Sequence, residues 1–431
     1  MLEITTKVLW AIATSLIIIS SLYFGTKQSF PQFKIKKIIR SLTTNKESNP
    51  IKTLYLTLAG RIGVGSIAGV AIGIYIGGPG TIFWMWIIAL IAGVLAYTET
   101  LIAIKYKEKN YGGPSYYIKK GLNNKSLAII YSLLIIIAYL IGFIPIQSNT
   151  ISKSLELNNI LLGIILAVVS FIVIKGGLNK ITEVTNKLVP FMTIIYIFLS
   201  LVTIILNIRT FISIIKTIII SAFNPKSFLG SFISMLLIGS QRCIFSNESG
   251  TGIGAIAASS SSGINGCQSG YIQVAGIYIT TLLICTSTAF IILISPYNSI
   301  VLNNPNGIEL TLFAFNNHFG SAGKTLLNIL IILFSFTTIL TGYYYCESSL
   351  NFISRKINKT ILKVIVPLSV FTGAVLTPHT IWKLVDIMVA LLVIINIYTL
   401  YKLRKEILKY HKKYDRIYAK RWPAWLIRSG I

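Results

Sequence analysis

The sequence predicts an all-α polytopic membrane protein with about eleven transmembrane helices. Hydrophobic residues make up 54% of the 431-residue chain, charged residues make up only 12%, and the mean hydropathy is +0.75. The apolar residues fall into runs that are each about long enough to cross a hydrocarbon core roughly 30 Å thick. Two of these runs contain clustered glycines, which weaken a continuous helix. This composition is typical of membrane proteins and not of soluble domains.

The predicted spans follow one another along the whole chain. They cover residues 8–26, 53–76, 81–104, 127–147, 158–174, 188–208, 228–258, 268–295, 325–346, 361–377 and 384–401. The first run lacks a small-residue cleavage site, so we expect a retained helix and not a signal peptide. The chain then divides into a leading helix with a basic loop (1–52), a core (53–401) and a basic tail (402–431).

The second run is interrupted near its centre by glycines at positions 60, 63 and 65. An unwound backbone inside a bilayer persists only where protein or a bound group satisfies its N–H and C=O groups. Broken helices of this kind form substrate and ion sites near the midplane of many secondary transporters. The plainer alternative is that these glycines only let helices approach closely.

A second interruption falls within the run 228–258. Residues 241–254 again place glycines and polar side chains in the middle of a span. Paired broken helices at corresponding positions are the sequence mark of an inverted repeat. We therefore predict one leading helix followed by a 5+5 inverted repeat with two broken helices, the repeats covering about 53–208 and 228–401.

The net charge of +27 follows the predicted topology. Thirty of the 39 lysines and arginines lie in the loops 27–52, 105–125, 175–187 and 355–363 and in the tail after 401. Because basic loops face the cytoplasm, we expect a plasma-membrane protein with its N-terminus outside and its C-terminus inside. The charge therefore indicates contact with the lipid bilayer and no nucleic-acid partner. The tail would lie on the inner membrane surface or be solvated.

Enzymatic chemistry is not predicted. No nucleophile with a neighbouring base stands out, so no catalytic residue is assigned. A GxxxxGK[ST] loop is absent, which argues against an ATP-driven pump. The three histidines are scattered and the four cysteines lack metal-binding spacing, so neither a metal centre nor an organic cofactor is expected.

Several segments, in this order, resemble the alanine or glycine:cation symporter family, whose members are sodium-coupled amino-acid carriers of the leucine-transporter-like fold. The segments are 67–71 (IAGVA), 77–80 (GGPG), 83–86 (FWMW), 112–118 (GGPSYYI), 188–192 (LVPFM), 245–250 (FSNESG), 336–340 (FTTIL) and 343–345 (YYY). The resemblance implies a symporter that imports alanine or glycine by alternating access. A receptor or regulator that binds an amino acid on the same fold without transporting it is the alternative. The oligomeric state stays open.

The chain departs from the family pattern near the expected pocket. The first break usually reads Val-Gly-Thr-Gly-Asn, whereas residues 61–66 read RIGVGS here. An acidic residue that is usual in the seventh helix of the core is Thr280, and a Gly-Trp pair is replaced by Thr341 and Gly342. These changes leave the fold expectation intact and leave ion stoichiometry and substrate range open.

A zwitterionic amino acid needs donors for its carboxylate, acceptors for its ammonium and an apolar wall. Free N–H groups at the first break would bind the carboxylate, free carbonyls at the second would bind the ammonium, and Phe245 would supply the wall. Gln147, where the family also carries a glutamine, would donate to the carboxylate or else bond only to backbone. The candidate substrate-binding residues are Gly63, Gly65, Ser66, Gln147, Phe245, Ser246, Glu248 and Gly250.

Two neighbouring threonines, Thr337 and Thr338, lie in an otherwise apolar span. Their hydroxyls, with Phe334 beside them and main-chain carbonyls of Ala59 and Ile62, would form an oxygen site for Na⁺, the expected coupling ion. Alternatively, the two hydroxyls bond back to carbonyls one turn earlier, as is common in spanning helices.

Ionisable residues inside spans are energetically costly and usually functional. Glu248 is expected to be the only carboxylate near the midplane, with Glu99 near a helix end and engaged in local pairing. Arg242 would approach Glu248 across the second break. We further predict that Arg61 pairs with Glu248 and acts as a tethered cation in place of a second sodium ion. The alternative is that Arg61 sits at the edge of the break and reaches water.

Overall fold

The structure is a computed structural model that describes residues 2–43, 49–155, 157–223, 228–261, 263–296, 307–356, 358–376 and 380–420. Within these ranges the regular structure is helical, apart from one isolated bridge between Glu108 and Tyr111. The helices are α1 (Leu2–Gln28), α2 (Ile35–Ser41), α3 (Pro50–Arg61), α4 (Val64–Gly77), α5 (Gly80–Tyr106), α6 (Pro114–Gly121), α7 (Lys125–Ile137), α8 (Ile144–Leu155), α9 (Asn159–Lys175), α10 (Gly177–Leu206), α11 (Ile208–Ala222), α12 (Phe228–Asn247), α13 (Ile253–Ser259), α14 (Gly266–Ile277), α15 (Thr286–Ile294), α16 (Gly307–Ile353), α17 (Thr360–Val375), α18 (Thr380–Lys402) and α19 (Arg404–Lys420).

Three irregularities shape these helices. Two π-helical segments, Ala138–Phe143 and Tyr278–Cys285, join α7 to α8 and α14 to α15 into continuous rods. Helix α16 is kinked at Gly320, whose φ of 62° lies in the left-handed region. The predicted run 325–346 corresponds to the part of α16 that follows this kink.

The prediction of an all-α polytopic membrane protein is confirmed. Among the described helices, seven are long and apolar enough to cross a membrane, and the bent pair α3 and α4 makes an eighth. Helices α9 and α17 are apolar but shorter, with 17 and 16 residues. The run 228–258 is divided between α12 and α13. Apart from the two breaks and a few residues at or near run ends, every predicted run is helical where it is described. The count of about eleven spans stays a prediction.

Helix α10 shows how the apolar residues are divided between lipid and protein. Phe191, Ile194 and Phe198 are exposed at helical spacing, whereas Met192 and Tyr196 on the other face are fully buried. A polar face toward solvent is missing because the solvent around such a helix is hydrocarbon. Large apolar side chains on the outside of the bundle are thus expected of a membrane protein.

The two interrupted helices lie at the centre of the bundle. Helix α4 packs against α12 and α16, and α3 packs against α10, α14 and α16. The first break is short, since α3 ends at Arg61, α4 begins at Val64, and the two halves are bent by 43°. The second break spans residues 248–252, where Glu248, Gly250 and Gly252 have φ values of 59°, 83° and 82°.

The glycines of the first break have two different roles. Only Gly63 lies between the helical halves, while Gly60 and Gly65 are helical. A Cβ on Gly65 would come 2.7 Å from Cδ1 of Phe245, so this glycine lets α4 and α12 approach each other. The break and the close-packing interpretations therefore each describe part of this segment.

The first and the last described helices both pack on the bundle. Helix α1 runs along α18 and α5, and the Trp10 indole Nε1–H donates to the main-chain oxygen of Asp386 at 3.0 Å. One face of α19 packs on the bundle, which neither alternative for the tail included, while its other face is exposed. Its residues Ile407 and His411 are buried, as is Leu403 just before it, and the helix packs on α5 and α14. His411 Nδ1 lies 3.0 Å from the Tyr97 hydroxyl.

Acidification is expected to loosen α19. Burial lowers the pKa of His411 to about 4, from an ordinary value of 6.5, so the unfolded helix binds the proton more tightly than the packed one. The stability contributed by neutral His411 is fully present above pH 6.5 and is lost as the pH falls from 6.5 through 4. At pH 5 the loss would reach up to about 2 kcal/mol.

The measurement is the melting temperature of the detergent-solubilised protein at pH 7 and pH 5. The unaltered protein should lose more thermal stability on acidification than the His411→Gln variant, because glutamine keeps a polar partner for Tyr97 but does not titrate. The same pH dependence in both proteins would show that His411 does not control the docking of α19.

Candidate functional site

The two helix breaks meet at a pair of serine hydroxyls. The Oγ atoms of Ser66 and Ser246 are 2.8 Å apart, and Ser246 Oγ also lies 3.2 Å from Cys285 Sγ. The main-chain oxygen of Ser66 accepts a hydrogen bond from the Thr288 hydroxyl at 2.8 Å. The structure therefore brings together predicted site residues that are far apart in the chain.

Gln147 reaches the first break from α8. Its Oε1 accepts a hydrogen bond from the main-chain N–H of Val64, the first residue of α4, at 3.0 Å. A Cβ on Gly63 would come 2.5 Å from Thr338 Oγ1 and 2.9 Å from Gln147 Oε1, so only glycine fits there. The amide oxygen thus already accepts a hydrogen bond from the backbone, which agrees with the alternative that Gln147 bonds to backbone. Its NH₂ group makes no hydrogen bond with the described residues and is free to donate to a carboxylate.

An aromatic column forms the apolar wall. The ring of Phe245 stacks on Phe143 at 5.0 Å between centroids, and it lies 5.2 Å from the ring of Trp382. Phe143 stacks in turn on Tyr139 at 4.8 Å. Since Phe245 already touches Gly65, this wall leaves little depth above the first break.

The second break leaves carbonyl groups without their helical partners. The N–H of Ser249 donates to Asn247 Oδ1 at 3.0 Å, and the N–H of Gly250 donates to the Glu99 carboxylate. In a continuous helix these donors would bind the carbonyls of Phe245 and Ser246, one turn earlier. Those two oxygens are therefore suitable acceptors for an ammonium group.

Glu99 holds the second break together, contrary to its expected local pairing near a helix end. It is 1% exposed, and its carboxylate accepts hydrogen bonds from the N–H groups of Gly250 and Gly252. The Asn396 Nδ2 donates to both Glu99 Oε1 and the Gly250 oxygen, each at 2.9 Å. The Tyr117 hydroxyl donates to Asn396 Oδ1. Glu248 is therefore not the only buried carboxylate of the core.

Arg61 and Glu248 lie together, as the sequence predicts. Arg61 Nε is 3.9 Å from Glu248 Oε2, and both side chains are at least 97% buried. Arg61 Nη1 donates to the main-chain oxygen of Gln273 at 3.0 Å, and the Tyr139 hydroxyl donates to Glu248 Oε1 at 2.9 Å. Within the described residues, Arg61 Nε and Glu248 Oε2 have no hydrogen-bond partner. Arg61 is an interior cation and does not reach water.

Space for this guanidinium is provided by two glycines on other helices. A Cβ on Gly276 would lie 2.7 Å from Arg61 Nη1, and a Cβ on Gly254 would collide with Nη2. Thr280, one turn after Gly276, has a buried hydroxyl that finds no partner in the described part of the chain. Thr280 lies on the π-helical continuation of α14, the helix that accommodates Arg61. An uncharged side chain therefore stands at the position where the sequence analysis expected an acidic one.

Arg242 does not approach Glu248, and that expectation was wrong. Helix α12 continues to Asn247, and Arg242 instead binds Asp386 of α18, with 2.5 Å between Nη2 and Oδ2. Its guanidinium carbon lies 5.7 Å from the ring centroids of both Phe245 and Trp382. Asp386 was missed from sequence, although it is the one acidic residue in the run 384–401.

Four of the five candidate sodium ligands, Ala59, Phe334, Thr337 and Thr338, lie together near the end of α3. Thr338 Oγ1 lies 2.9 Å from the Ala59 oxygen and 3.0 Å from the Phe334 oxygen, and Thr337 Oγ1 lies 3.0 Å from the Phe334 oxygen. Ile62 separates the two helical halves. Both threonine hydroxyls thus bond to a carbonyl of their own helix, which agrees with the alternative interpretation. The Thr338 hydroxyl also contacts the Ala59 carbonyl of α3. Several neutral oxygens in one place are a ligand set that fits Na⁺.

Comparison with known proteins identifies the family. A family model described as the sodium:alanine symporter family matches residues 1–422. The chain is 32% identical to the amino-acid carrier protein AlsT of Bacillus subtilis, covering 96% of this chain and 92% of that one. It is 34% identical to the probable sodium/glutamine symporter GlnT of the same organism, covering 96% and 90%.

A third relative is the sodium/alanine symporter AgcS of Methanococcus maripaludis, which is 28% identical over 87% of this chain and 86% of its own. The matched region includes both broken helices and the aromatic wall between them. These proteins are membrane carriers and not enzymes. The chain therefore belongs to the sodium:alanine symporter family.

Proposed function

We propose that this protein is a sodium-coupled symporter that imports alanine or glycine across the plasma membrane. The observation that carries the proposal is the pairing of opposite hydrogen-bonding groups at the two breaks. The Gln147 amide lies at the first break, the acceptor carbonyls of Phe245 and Ser246 lie at the second, and the contact between Ser66 and Ser246 brings the two breaks together. A zwitterion requires such a donor and such acceptors close to each other. Family membership supports an amino acid as the substrate class and sodium as the coupling ion.

The geometry of the wall favours a small substrate. Phe245 lies directly over Gly65, while Thr338 and Gln147 lie against Gly63. Because these contacts are tight, we expect a substrate side chain of about one methyl group, and a longer side chain would have to displace the aromatic column. One relative is named as a probable sodium/glutamine symporter. We expect this chain to take a smaller amino acid than glutamine.

Alternating access needs a closure on each side of the site. On one side, the Arg242–Asp386 pair and the ring contact between Phe245 and Trp382 join α12 to α18. On the other side, Glu99 and Asn396 join the second break to α5 and α18. In our proposal, breaking the first set admits the amino acid from outside and breaking the second releases it inside, through rocking of one repeat against the other.

The proposed topology keeps the domain division derived from the sequence. A leading helix precedes two inverted repeats at about 53–208 and 228–401, with the N-terminus outside and α19 inside. The distribution of basic residues supports this orientation. The two breaks fall in the first helical pair of each repeat, which supports the inverted arrangement.

Uptake into proteoliposomes tests the function. Labelled alanine and glycine should accumulate only when an inward sodium gradient is present, and replacement of sodium by potassium should abolish accumulation. Excess unlabelled leucine or glutamine should compete weakly, because either side chain must displace Phe245. Binding of alanine without uptake would indicate a receptor. Strong leucine or glutamine uptake would contradict the small pocket.

Loss of the cross-helix threonine should weaken sodium coupling. Thr338→Val removes an oxygen that lies between the two helices but keeps its volume, so the sodium concentration for half-maximal uptake should rise about tenfold, the equivalent of one hydrogen-bond-sized contact. Thr337→Val should have a smaller effect because this hydroxyl contacts only its own helix.

A matched control lies one turn further along α16. The Thr341 hydroxyl is buried and donates to the Thr337 oxygen at 2.8 Å, while only its methyl group faces Gly60 of α3. Thr341→Val should therefore leave the sodium dependence unchanged. If Thr338→Val behaves like this control, the sodium site does not lie at Thr338.

Arg61 fits the role of a tethered cation in place of a second sodium ion. A guanidinium stays charged, and here it sits beside Glu248 between the two breaks, where a mobile cation would otherwise balance the carboxylate. Thr280 supports this role. Compared with the family pattern, the chain has a neutral threonine where an acidic residue is usual and an added arginine at position 61, and both changes reduce the need for a bound cation. The consequence would be transport coupled to fewer sodium ions than in relatives that lack this arginine.

The variant Arg61→Ala should lose substrate binding and be destabilised by about 3–5 kcal/mol, because it strands a buried carboxylate. Any residual binding should need more sodium and show a steeper sodium dependence, since a free ion must now fill the position. Arg61→Ala combined with Glu248→Gln should recover part of the melting temperature. Normal alanine binding by Arg61→Ala at unchanged sodium would exclude the tethered-cation role.

A further inference from the structure

A second cavity, of about 400 Å³, lies away from the amino-acid site. Its walls come from the loop after α5, from α6, and from the beginning of α7 and the end of α16. Helix α7 begins at Lys125 and α16 ends at Ile353, which are also ends of membrane-spanning helices. The cavity therefore lies at the level where lipid headgroups meet the protein, on the face that carries the basic loops.

The cavity is strongly basic. Its lining includes Lys119, Lys120, Lys125 and Arg355 against the single carboxylate of Glu108, which leaves a formal surplus of three positive charges. Glu108 pairs with Lys120 at 2.8 Å and also with Arg355, so two of the four cations are partly neutralised.

The other two cations have no anionic partner. Lys119 Nζ lies 5.7 Å from the ring centroid of Phe352, and Lys125 forms no ion pair within the described ranges. Both lysines are exposed. Their ammonium groups are thus available to an anion that enters the cavity.

An apolar path leads from the cavity into the bilayer. Ile129 is part of the lining, and the neighbouring residues Ile130, Leu133 and Ile137 of α7 are 54%, 45% and 44% exposed at helical spacing. A ligand with a charged head and hydrocarbon chains would place its head among the lysines and its chains along this stripe.

We propose that this cavity binds the phosphate headgroup of an anionic phospholipid. A phosphate offers several oxygens to Lys and Arg donors from different helices, and basic pockets at the membrane surface are suited to such headgroups. Free phosphate shares the headgroup chemistry but makes no use of the apolar stripe on α7. The lipid would tie α6 to the end of α16.

This link would act close to the inner half of the second broken helix. Helix α6 packs on α13, where a Cβ on Gly113 would collide with Ile256. Arg355 at the end of α16 already reaches the loop after α5 through Glu108. A headgroup that bridges Lys119, Lys125 and Arg355 would reinforce this connection between α6, α7 and the end of α16. It would therefore raise the melting temperature of the protein.

The test uses the full-length protein in detergent, titrated with phosphatidylglycerol, phosphatidylcholine or inorganic phosphate. Native mass spectrometry counts bound lipid, and the melting temperature reports stabilisation. Phosphatidylglycerol should bind and stabilise, while phosphatidylcholine and phosphate should do neither. The double variant Lys119→Gln and Lys125→Gln should bind phosphatidylglycerol about thirtyfold more weakly, the combined effect of two lysine charges at an anionic headgroup.

The double variant Lys36→Gln and Lys405→Gln is the matched control. It removes the same charge from two exposed lysines that do not line the cavity, so its affinity for phosphatidylglycerol should equal that of the unaltered protein. Equal lipid binding by both variants, or equal binding of phosphatidylcholine, would overturn the proposal. Stabilisation by inorganic phosphate that is lost in the cavity variant would instead make this a site for free phosphate. None of these outcomes depends on amino-acid transport.

Discussion

The fold depends on keeping two stretches of unwound backbone satisfied inside a hydrocarbon solvent. An unpaired N–H or C=O group costs several kcal/mol in the bilayer core, so each break must find partners in other helices. The second break obtains them from Glu99 and Asn396, which together bind the N–H and C=O groups of Gly250. The first break is joined to its surroundings by Gln147 and Thr338. In our proposal, the amino acid binds the Gln147 NH₂ group and the carbonyls of Phe245 and Ser246, for which the described residues supply no helical partner.

Two buried ion pairs surround this site and differ in kind. Arg242 and Asp386 form a short, hydrogen-bonded pair beneath aromatic rings. Arg61 and Glu248 are 3.9 Å apart and share no hydrogen bond. A buried pair is stabilising only when its geometry and its remaining hydrogen bonds offset desolvation. The looser pair can therefore accept a polar ligand at small cost, whereas opening the tighter one must be driven by events elsewhere.

Hydropathy and glycine placement predicted the helices and both breaks, because these depend on local composition and on the bilayer thickness. The Arg61–Glu248 pair was also predictable, since few charges occur within the broken spans. Glu99 and Asp386 were not assigned, because their partners are remote: Asn396 lies 297 residues from Glu99, and Arg242 lies 144 residues from Asp386. Each is nevertheless a lone carboxylate in an apolar run, which signals an unseen partner. The docking of α19 was not predicted, because a strongly basic helix is normally expected to be solvated. The sequence alone does not show that other helices cover its small apolar face.

The bond between the Trp10 indole and the Asp386 main chain has a consequence for biogenesis. It joins residues 376 positions apart, so α1 is synthesised well before α18 and meets this partner only when α18 has been made. Until then, α1 lacks α18 as a packing partner, although its buried side chains include the polar residues Thr14, Ser20 and Ser21. The same bond fixes the backbone beside the Arg242–Asp386 pair. The closure made by the Arg242–Asp386 pair thus forms only after α18 is synthesised, and a chain that lacks α18 would leave the proposed site open on that side.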